Sequence, residues 1–246
     1  MILLIDAGNT RIKWRVVEAS APLAARDEGA FAHDALDALP NALTDVRARH
    51  PGLRRALGCN VAGAAVAARI AGACAGLSLE WLTSTAACAG VRNLYENPSQ
   101  LGADRWAAAI GARALHPHAC VVVMAGTATT VDLLSATGDF LGGLILPGVA
   151  LMQQALARGT AQLPLADGRF ALQPRRTVDA IHSGCLQAQA GAIERMFAQI
   201  AHAPDALCLL GGGAADSFAD LLAIPVRRVD NLVLTGLGAV AGLAAT

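Results

Sequence analysis

Two short phrases hold most of the chain's chemical potential. Asp6-Ala7-Gly8-Asn9-Thr10 closes the first apolar run, and Ala125-Gly126-Thr127-Ala128-Thr129-Thr130 closes another about half a chain later. Gly8 and Gly126 lie 118 positions apart (126 − 8) in a chain of 246 residues. Strand–glycine–hydroxyl turns at that spacing predict a duplicated fold whose halves face one cleft. Each turn offers backbone N–H groups beside small side chains, which is what gripping a polyphosphate requires. Asp6, an acid at the end of an apolar strand, suits a divalent metal on a nucleotide phosphate. It suits an Asx-turn equally well. Gly8 either admits a phosphate to bare backbone or only shapes the turn. Asn9 and Thr10 either donate to phosphate oxygens or hold a hairpin.

Lys13 is the only lysine of the opening half and shares a strand face with Arg11 and Arg15. It is a solvated lysine unless a phosphate lies near. Gly126, Thr127 and Ala128, followed by two more threonines, read as a phosphate loop more than a core strand. No Gly-Lys-Ser/Thr follows, so this is not a Walker A loop, and it is not the Rossmann fingerprint. Gly211-Gly212-Gly213 follows a strand and precedes a helix. It either lets an adenine or ribose approach bare backbone or relieves helix–sheet crowding. Gly102-Ala103-Asp104-Arg105 has two readings as well. Asp104 is either a helix N-cap serving the N–H of Trp106 or Ala107, or a base that takes a proton from a hydroxyl while Arg105 clamps a carboxylate.

These residues need positioning elements, and apolar periodicity supplies them. Strands are expected at Met1–Ile5, Arg11–Glu18, 29–33, Arg55–Val61, Leu79–Leu82, Cys120–Met124, Val131–Leu134, Phe140–Ile145, Leu207–Leu210 and Val226–Val229. Helices are expected at Asp34–Arg49, Ala64–Ala75, Asp104–Leu115, Val149–Ala157, within Val178–Ile200, and at Ala214–Leu222 and Leu232–Ala244. Residues 160–176 read as loop. Each half therefore runs strand, strand, strand, helix, strand, helix, strand, helix, which implies an α/β fold of two mixed sheets flanked by helices. The boundary is expected near His116-Pro117-His118, where a helix must end. It gives halves of 1–117 and 118–246.

Bulk composition narrows the function classes. Hydrophobic residues make up 54% and charged residues 15%, so a large core is easy to build. No apolar run reaches the roughly 18 residues of a membrane span. The N-terminus opens directly in a strand with no basic leader, so a cytoplasmic protein is expected. A net charge of zero and no Lys/Arg cluster argue against nucleic acid as a partner. The six cysteines form no C-x-x-C pair and read as small buried apolar residues.

Four motifs, in order and over nearly the whole chain, resemble type III pantothenate kinase: D-x-G-N-T at Asp6–Thr10, Y-x-N-P-x-x-L-G-x-D-R at Tyr95–Arg105, G-T-A-T-T-V-D at Gly126–Asp132 and G-G-x-x-x-P-G at Gly142–Gly148. The Tyr95–Arg105 segment is the most specific. The glycine turns are shared with the wider acetate and sugar kinase, heat-shock ATPase and actin superfamily. The resemblance implies two ribonuclease-H-like halves in a homodimer that phosphorylates pantothenate with ATP, the first step toward coenzyme A. By that pattern Asp6 helps hold magnesium, and Asn9, Thr10 and Lys13 line the phosphates from one half. Gly126, Thr127 and Ala128 line them from the other. Asp104 is the base, and Tyr95, Gly102, Arg105 and, from the partner subunit, Thr177 hold pantothenate. A monovalent cation, potassium or ammonium, is implied without assigned ligands. One departure is Met124, where the family commonly has an acid two residues before the second glycine. It leaves open a nucleotide-binding regulatory protein that has lost turnover. A kinase for another small molecule is the third alternative.

Overall fold

The computed structural model describes residues 1–32, 37–165 and 167–243. The chain divides into two compact units, and the first comprises Met1–Pro117, Gly138–Phe140 and the closing segment from Asn231. Unit 1 opens with β1 (Ile2–Ala7), β2 (Arg11–Glu18) and β3 (Ala21–Ala32), then α1 (Leu39–Arg49), β4 (Arg55–Asn60), α2 (Ala64–Ala73) and β5 (Ser78–Trp81). A short ribbon, β6 (Ala87–Cys88) and β7 (Val91–Asn93), precedes α3 (Ala103–Leu115). The five long strands form a sheet in the order β3-β2-β1-β4-β5. β1 is antiparallel to β2 and parallel to β4, so the sheet is mixed.

Alternation on β1 and β2 decides the two faces. Leu3, Ile5, Ile12, Trp14 and Val16 point to one side and are buried with Leu39, Leu43 and Val46 of α1 and Val66 and Ile70 of α2. Leu4 and Asp6 point to the other side, where α3 packs on β4. Pro40, at the start of α1, explains why that helix begins there: its fixed φ suits a first turn. The expected helix start at Asp34–Leu36 lies outside the described residues. The expected short strand at 29–33 is in fact the end of a twelve-residue β3 with a register shift opposite Val16–Glu18.

Unit 2 holds His118–Thr137 and Leu141–Asp230. Its elements are β8 (Cys120–Ala125), β9 (Ala128–Leu134), β10 (Asp139–Pro147), α4 (Val149–Gly159), α5 (Thr177–Phe197), β11 (Leu207–Gly211) and β12 (Val226–Arg228). The strand order is β12-β11-β8-β9-β10, again mixed: β8 is antiparallel to β9 and parallel to β11. Val121, Val123, Val131 and Leu133 form one core with Leu186, Ile193 and Phe197 of α5. The first residues of β10 belong to unit 1, where Asp139 and Phe140 pair with Arg92 and Asn93 of β7.

The closing helix α6 (Leu232–Leu243) returns to unit 1 and crosses α3. Two glycines make that crossing close. A Cβ on Gly111 would strike the Leu232 carbonyl, and one on Gly236 would strike the Ala107 carbonyl. Arg105 through Ala112 are buried without a break.

Two sequence expectations are corrected. Ala214–Leu222 is not an α-helix but two 3-10 turns, Ala215–Ser217 and Ala219–Leu221. The Ser217 hydroxyl donates to the Ala214 carbonyl at 2.6 Å, offering the backbone an alternative to the helical ladder. Ala128-Thr129-Thr130 is not loop but the start of β9, with both threonines buried. Their β-branched side chains fit a pleated strand. With these adjustments the protein has the duplicated ribonuclease-H-like, actin-like ATPase fold.

Candidate active site

Strand register in unit 1 sets a row of polar groups on one sheet face. Asp6 on β1 lies directly opposite Lys13 on β2 and directly beside Cys59 on β4. Residues paired in register share a face, so the carboxylate, ammonium and thiol stand together. Asp6 pays for that position: burial and the nearby Asp104 carboxylate push its pKa up to about 6, although Lys13 pulls the other way. The Cys59 thiol is fully buried, and burial, with Asp6 and Asp104, raises its pKa well above the usual thiol range. The charge of Asp104 thus bears on both groups.

The turn after β1 is held by the Gly8 N–H, which donates to the Arg11 carbonyl at 3.1 Å. Gly8 therefore contributes a bare Cα rather than a donor, and Asn9 and Thr10 form the exposed tip. Asp104 lies in the first turn of α3 but does not cap it. Gly102 is the N-cap, and its carbonyl accepts the Trp106 N–H at 2.9 Å. The Asp104 carboxylate folds back and accepts the Arg105 N–H at 2.8 Å. It remains partly exposed and sits at the positive end of the helix dipole.

Next along α3, Arg105 is only 6% exposed, an unusual place for a guanidinium. Its Nη1 donates to the Tyr95 hydroxyl at 2.7 Å, and its Cζ lies 5.7 Å from the centroids of both Tyr95 and Phe140. The segment bearing Tyr95 is pinned by buried Asn93. The Asn93 amide donates to the Ser84 hydroxyl and the Pro98 carbonyl and accepts the Tyr95 N–H. Asp6, Lys13, Tyr95, Gly102, Asp104 and Arg105 all belong to unit 1.

In unit 2 the glycine segments converge on the backbone at the end of β8. The Gly126 N–H donates to the Ala128 carbonyl, and the Gly148 N–H donates to the Thr127 carbonyl. Gly148 is the N-cap of α4, so the positive end of that helix dipole abuts the exposed Gly126-Thr127-Ala128 turn. Gly211 ends β11, and Gly212 has φ of +99°, where a Cβ would collide with the Ala125 carbonyl. The Ala214 N–H caps that same carbonyl at 3.1 Å. Met124 is paired with Thr130 on one side and Gly211 on the other. The Thr129 and Thr130 hydroxyls are buried with no hydrogen-bond partner among the described residues. Thr177 is exposed at the start of α5, away in sequence from every other candidate.

A model of the type III pantothenate kinase family matches residues 2–199. The chain belongs to this family. A type III pantothenate kinase of Aromatoleum aromaticum is 62% identical over 243 residues, covering 98% of each chain. One from an Azoarcus species is 55% identical, covering 98% of this chain and 90% of its own. Among solved structures, an activator of 2-hydroxyisocaproyl-CoA dehydratase from Clostridium difficile, solved with ADPNP, aligns at a TM-score of 0.57 and 11% identity over 99% of this chain and 94% of its own. An ethanolamine utilization protein from Carboxydothermus hydrogenoformans aligns at 0.56 and 15% identity, over 98% and 88%. These two share the fold. Family membership makes the reaction ATP-dependent phosphorylation of pantothenate, on the route to coenzyme A.

Three residues in or beside these groups are absent from the motif-based expectation. Cys59 looked like any buried apolar cysteine, since its register with Asp6 is set by strand pairing. Asn93 lies just outside the Tyr95–Arg105 motif, and only its burial marks it. Phe140 is 35 residues from Arg105 in sequence (140 − 105), and no local pattern joins them.

Proposed function

We propose that Asp104 is the general base of this pantothenate kinase. It takes the proton of pantothenate's primary hydroxyl, the alkoxide oxygen bonds to the γ-phosphorus of ATP, and the bond to the β–γ bridging oxygen breaks to release ADP. Little covalent help is needed for such a transfer, so positioning and charge neutralisation dominate. The observation that carries this reading is local to unit 1: a partly exposed Asp104, felt by Asp6, stands one residue from a buried arginine in an aromatic setting. A base and an anion clamp in consecutive positions suit an acceptor that bears both a hydroxyl and a carboxylate.

Asp6, Gly8, Asn9, Thr10 and Lys13 hold the phosphates in this reading, together with Gly126, Thr127 and Ala128. Gly211 and Gly212 admit the nucleoside. The dipole of α4 favours negative charge at the second turn. Asp6 also fits a divalent cation: its carboxylate is costly to ionise where it stands, and a cation relieves that cost. Among the described residues no group of three or more His, Cys, Asp or Glu could enclose a metal. Magnesium held by one carboxylate, waters and phosphate oxygens needs no such group. When bound, Mg²⁺ neutralises phosphate charge. A monovalent cation, potassium or ammonium, completes the set without assigned ligands.

Gly102 and Tyr95 hold pantothenate beside Arg105, and Thr177 of a second copy completes the pocket. Support for a homodimer comes from unit 2. Leu144, Ile145, Leu151 and Leu156 are exposed, and α4 and α5 border an apolar groove of about 570 Å³. Thr177 starts the same α5, so the docking that buries this face brings it along. No described helix is long and apolar enough to cross a membrane. The cytoplasm, where ATP is plentiful, is the proposed compartment.

Purified protein with ATP, magnesium, potassium and pantothenate tests the reading. Phosphopantothenate formation that is lost in Asp104→Asn while ATP binding survives supports it. ATP binding without product from the wild-type chain would favour a regulatory role, for which Met124 is the one specific argument.

A further inference from the structure

We propose that Phe140 is a positioning residue for pantothenate: it fixes the Arg105 guanidinium and the Tyr95 ring so that the arginine meets the substrate carboxylate in one orientation. The inference deepens the clamp reading above and rests on it.

Phe140 is fully buried, on the first turnings of β10 where that strand belongs to unit 1. Three contacts tie it to the clamp. Its ring meets Tyr95 edge-on, with centroids 5.7 Å apart and planes at 63°. The Arg105 Cζ lies 5.7 Å from its centroid, the same distance as from Tyr95. Its carbonyl accepts the Leu94 N–H at 3.1 Å, next to the Tyr95 N–H that Asn93 holds. Phe140 and Asn93 are themselves register partners across β10 and β7. One residue thus supports the backbone that presents Tyr95, the ring of Tyr95 and the cation itself.

The physical reason is directional. A guanidinium makes a two-pronged contact with a carboxylate only in its own plane. Arg105 has a long side chain with several rotatable bonds, and the Tyr95 hydroxyl holds Nη1. The two rings flanking its Cζ narrow that freedom further before substrate arrives, so less entropy is lost on binding. An aliphatic side chain of similar size fills the space but gives no electrostatic hold on the cation.

The test compares wild type with Phe140→Leu and, should Leu not yield folded protein, Phe140→Met. The variant's KM for pantothenate is expected to rise about tenfold, within the range of a lost cation–π contact. kcat is expected within about threefold of wild type and the KM for ATP unchanged, as for lost ground-state binding. Calorimetry with pantothenol, which has CH₂OH in place of the carboxylate, is the decisive control. Its affinity should fall far less than that of pantothenate, because both compounds feel Tyr95 but the orientation of Arg105 matters only to an anion. Equal weakening of both compounds, or a fall in kcat at constant KM, overturns the proposal and leaves Phe140 as packing. Arg105→Lys separates the two levels. If Arg105→Lys raises the pantothenate KM and Phe140→Leu does not, only this inference fails. If neither does, the clamp itself fails and the inference with it.

Discussion

The turn after β1 and the turn after β8 share a backbone plan. Each follows a buried strand, and each glycine N–H donates to a carbonyl at the start of the next strand, Gly8 to Arg11 and Gly126 to Ala128. Two residues before the glycine they part. Asp6 stands between Lys13 and Cys59, while Met124 stands between Thr130 and Gly211. The first turn is equipped with charge, the second with bare backbone and the N-terminus of α4. Duplication has kept the shape of the loop and let the side-chain roles divide. The catalytic candidate Asp104 and the clamp both fall on the charged side.

The largest effect that would break this comparison is in Asp104→Asn. Turnover is expected to fall by about 10²–10⁴-fold, the usual contribution of a positioned base, with ATP affinity within threefold. Asp104 is not the N-cap, and the amide oxygen of Asn can still accept the Arg105 N–H, so the loss of stability should stay within about 1 kcal/mol, the scale of a first-turn acid on a helix dipole. Near-wild-type turnover would sink the assignment.

Asp6→Asn comes next. Magnesium-dependent ATP binding should weaken by at least tenfold in a metal titration, whereas the ligand-free fold should gain stability. The sign follows from the raised pKa. The folded chain holds a proton on Asp6 up to about pH 6, while the unfolded chain releases it near 3.8. Stability is therefore lost as pH rises between those values, and the ionised carboxylate stays a burden above them. Thermal unfolding should show Asp6→Asn ahead by about 1–3 kcal/mol at pH 8 and level with wild type below pH 4. A variant less stable at pH 8 would contradict this account. In the wild type, kcat/KM for ATP should fall as pH drops through about 6, because the proton competes with the cation for Asp6.

Arg105→Lys is expected to raise the pantothenate KM about tenfold by replacing a planar fork with a point charge, with a small change in kcat. The smallest effect sharpens the comparison from the other side. Met124→Asp gives the second turn the acid that the first one has. Half-saturating magnesium should fall about threefold if that position faces the phosphates, in line with one added carboxylate ligand. A rise would show that Met124 lies where charge is not tolerated.

Much of this was legible in the residues. Apolar periodicity located nearly every element, since strand and helix each impose their own spacing on a buried face. The glycine–hydroxyl turns and the Tyr95–Arg105 motif named the candidate residues because such local geometry needs those residue types in that order. Errors came where local cues were ambiguous. The threonines after Gly126 looked like loop because hydroxyls suit phosphates, yet β-branching made them strand. The Ala214–Leu222 segment looked helical by composition, but Ser217 turned its hydroxyl onto the backbone.

The amino-acid order by itself determined the elements, the turns and the family, because each depends on neighbours a few positions apart. Only the tertiary structure decided which distant groups meet. Strand register put Cys59 beside Asp6, a helix N-terminus placed Asp104 where its charge bears on both, and the start of β10 delivered Phe140 to Arg105. Those pairings are fixed by hydrogen-bond register and side-chain packing between segments far apart in the chain, and no local spacing encodes them.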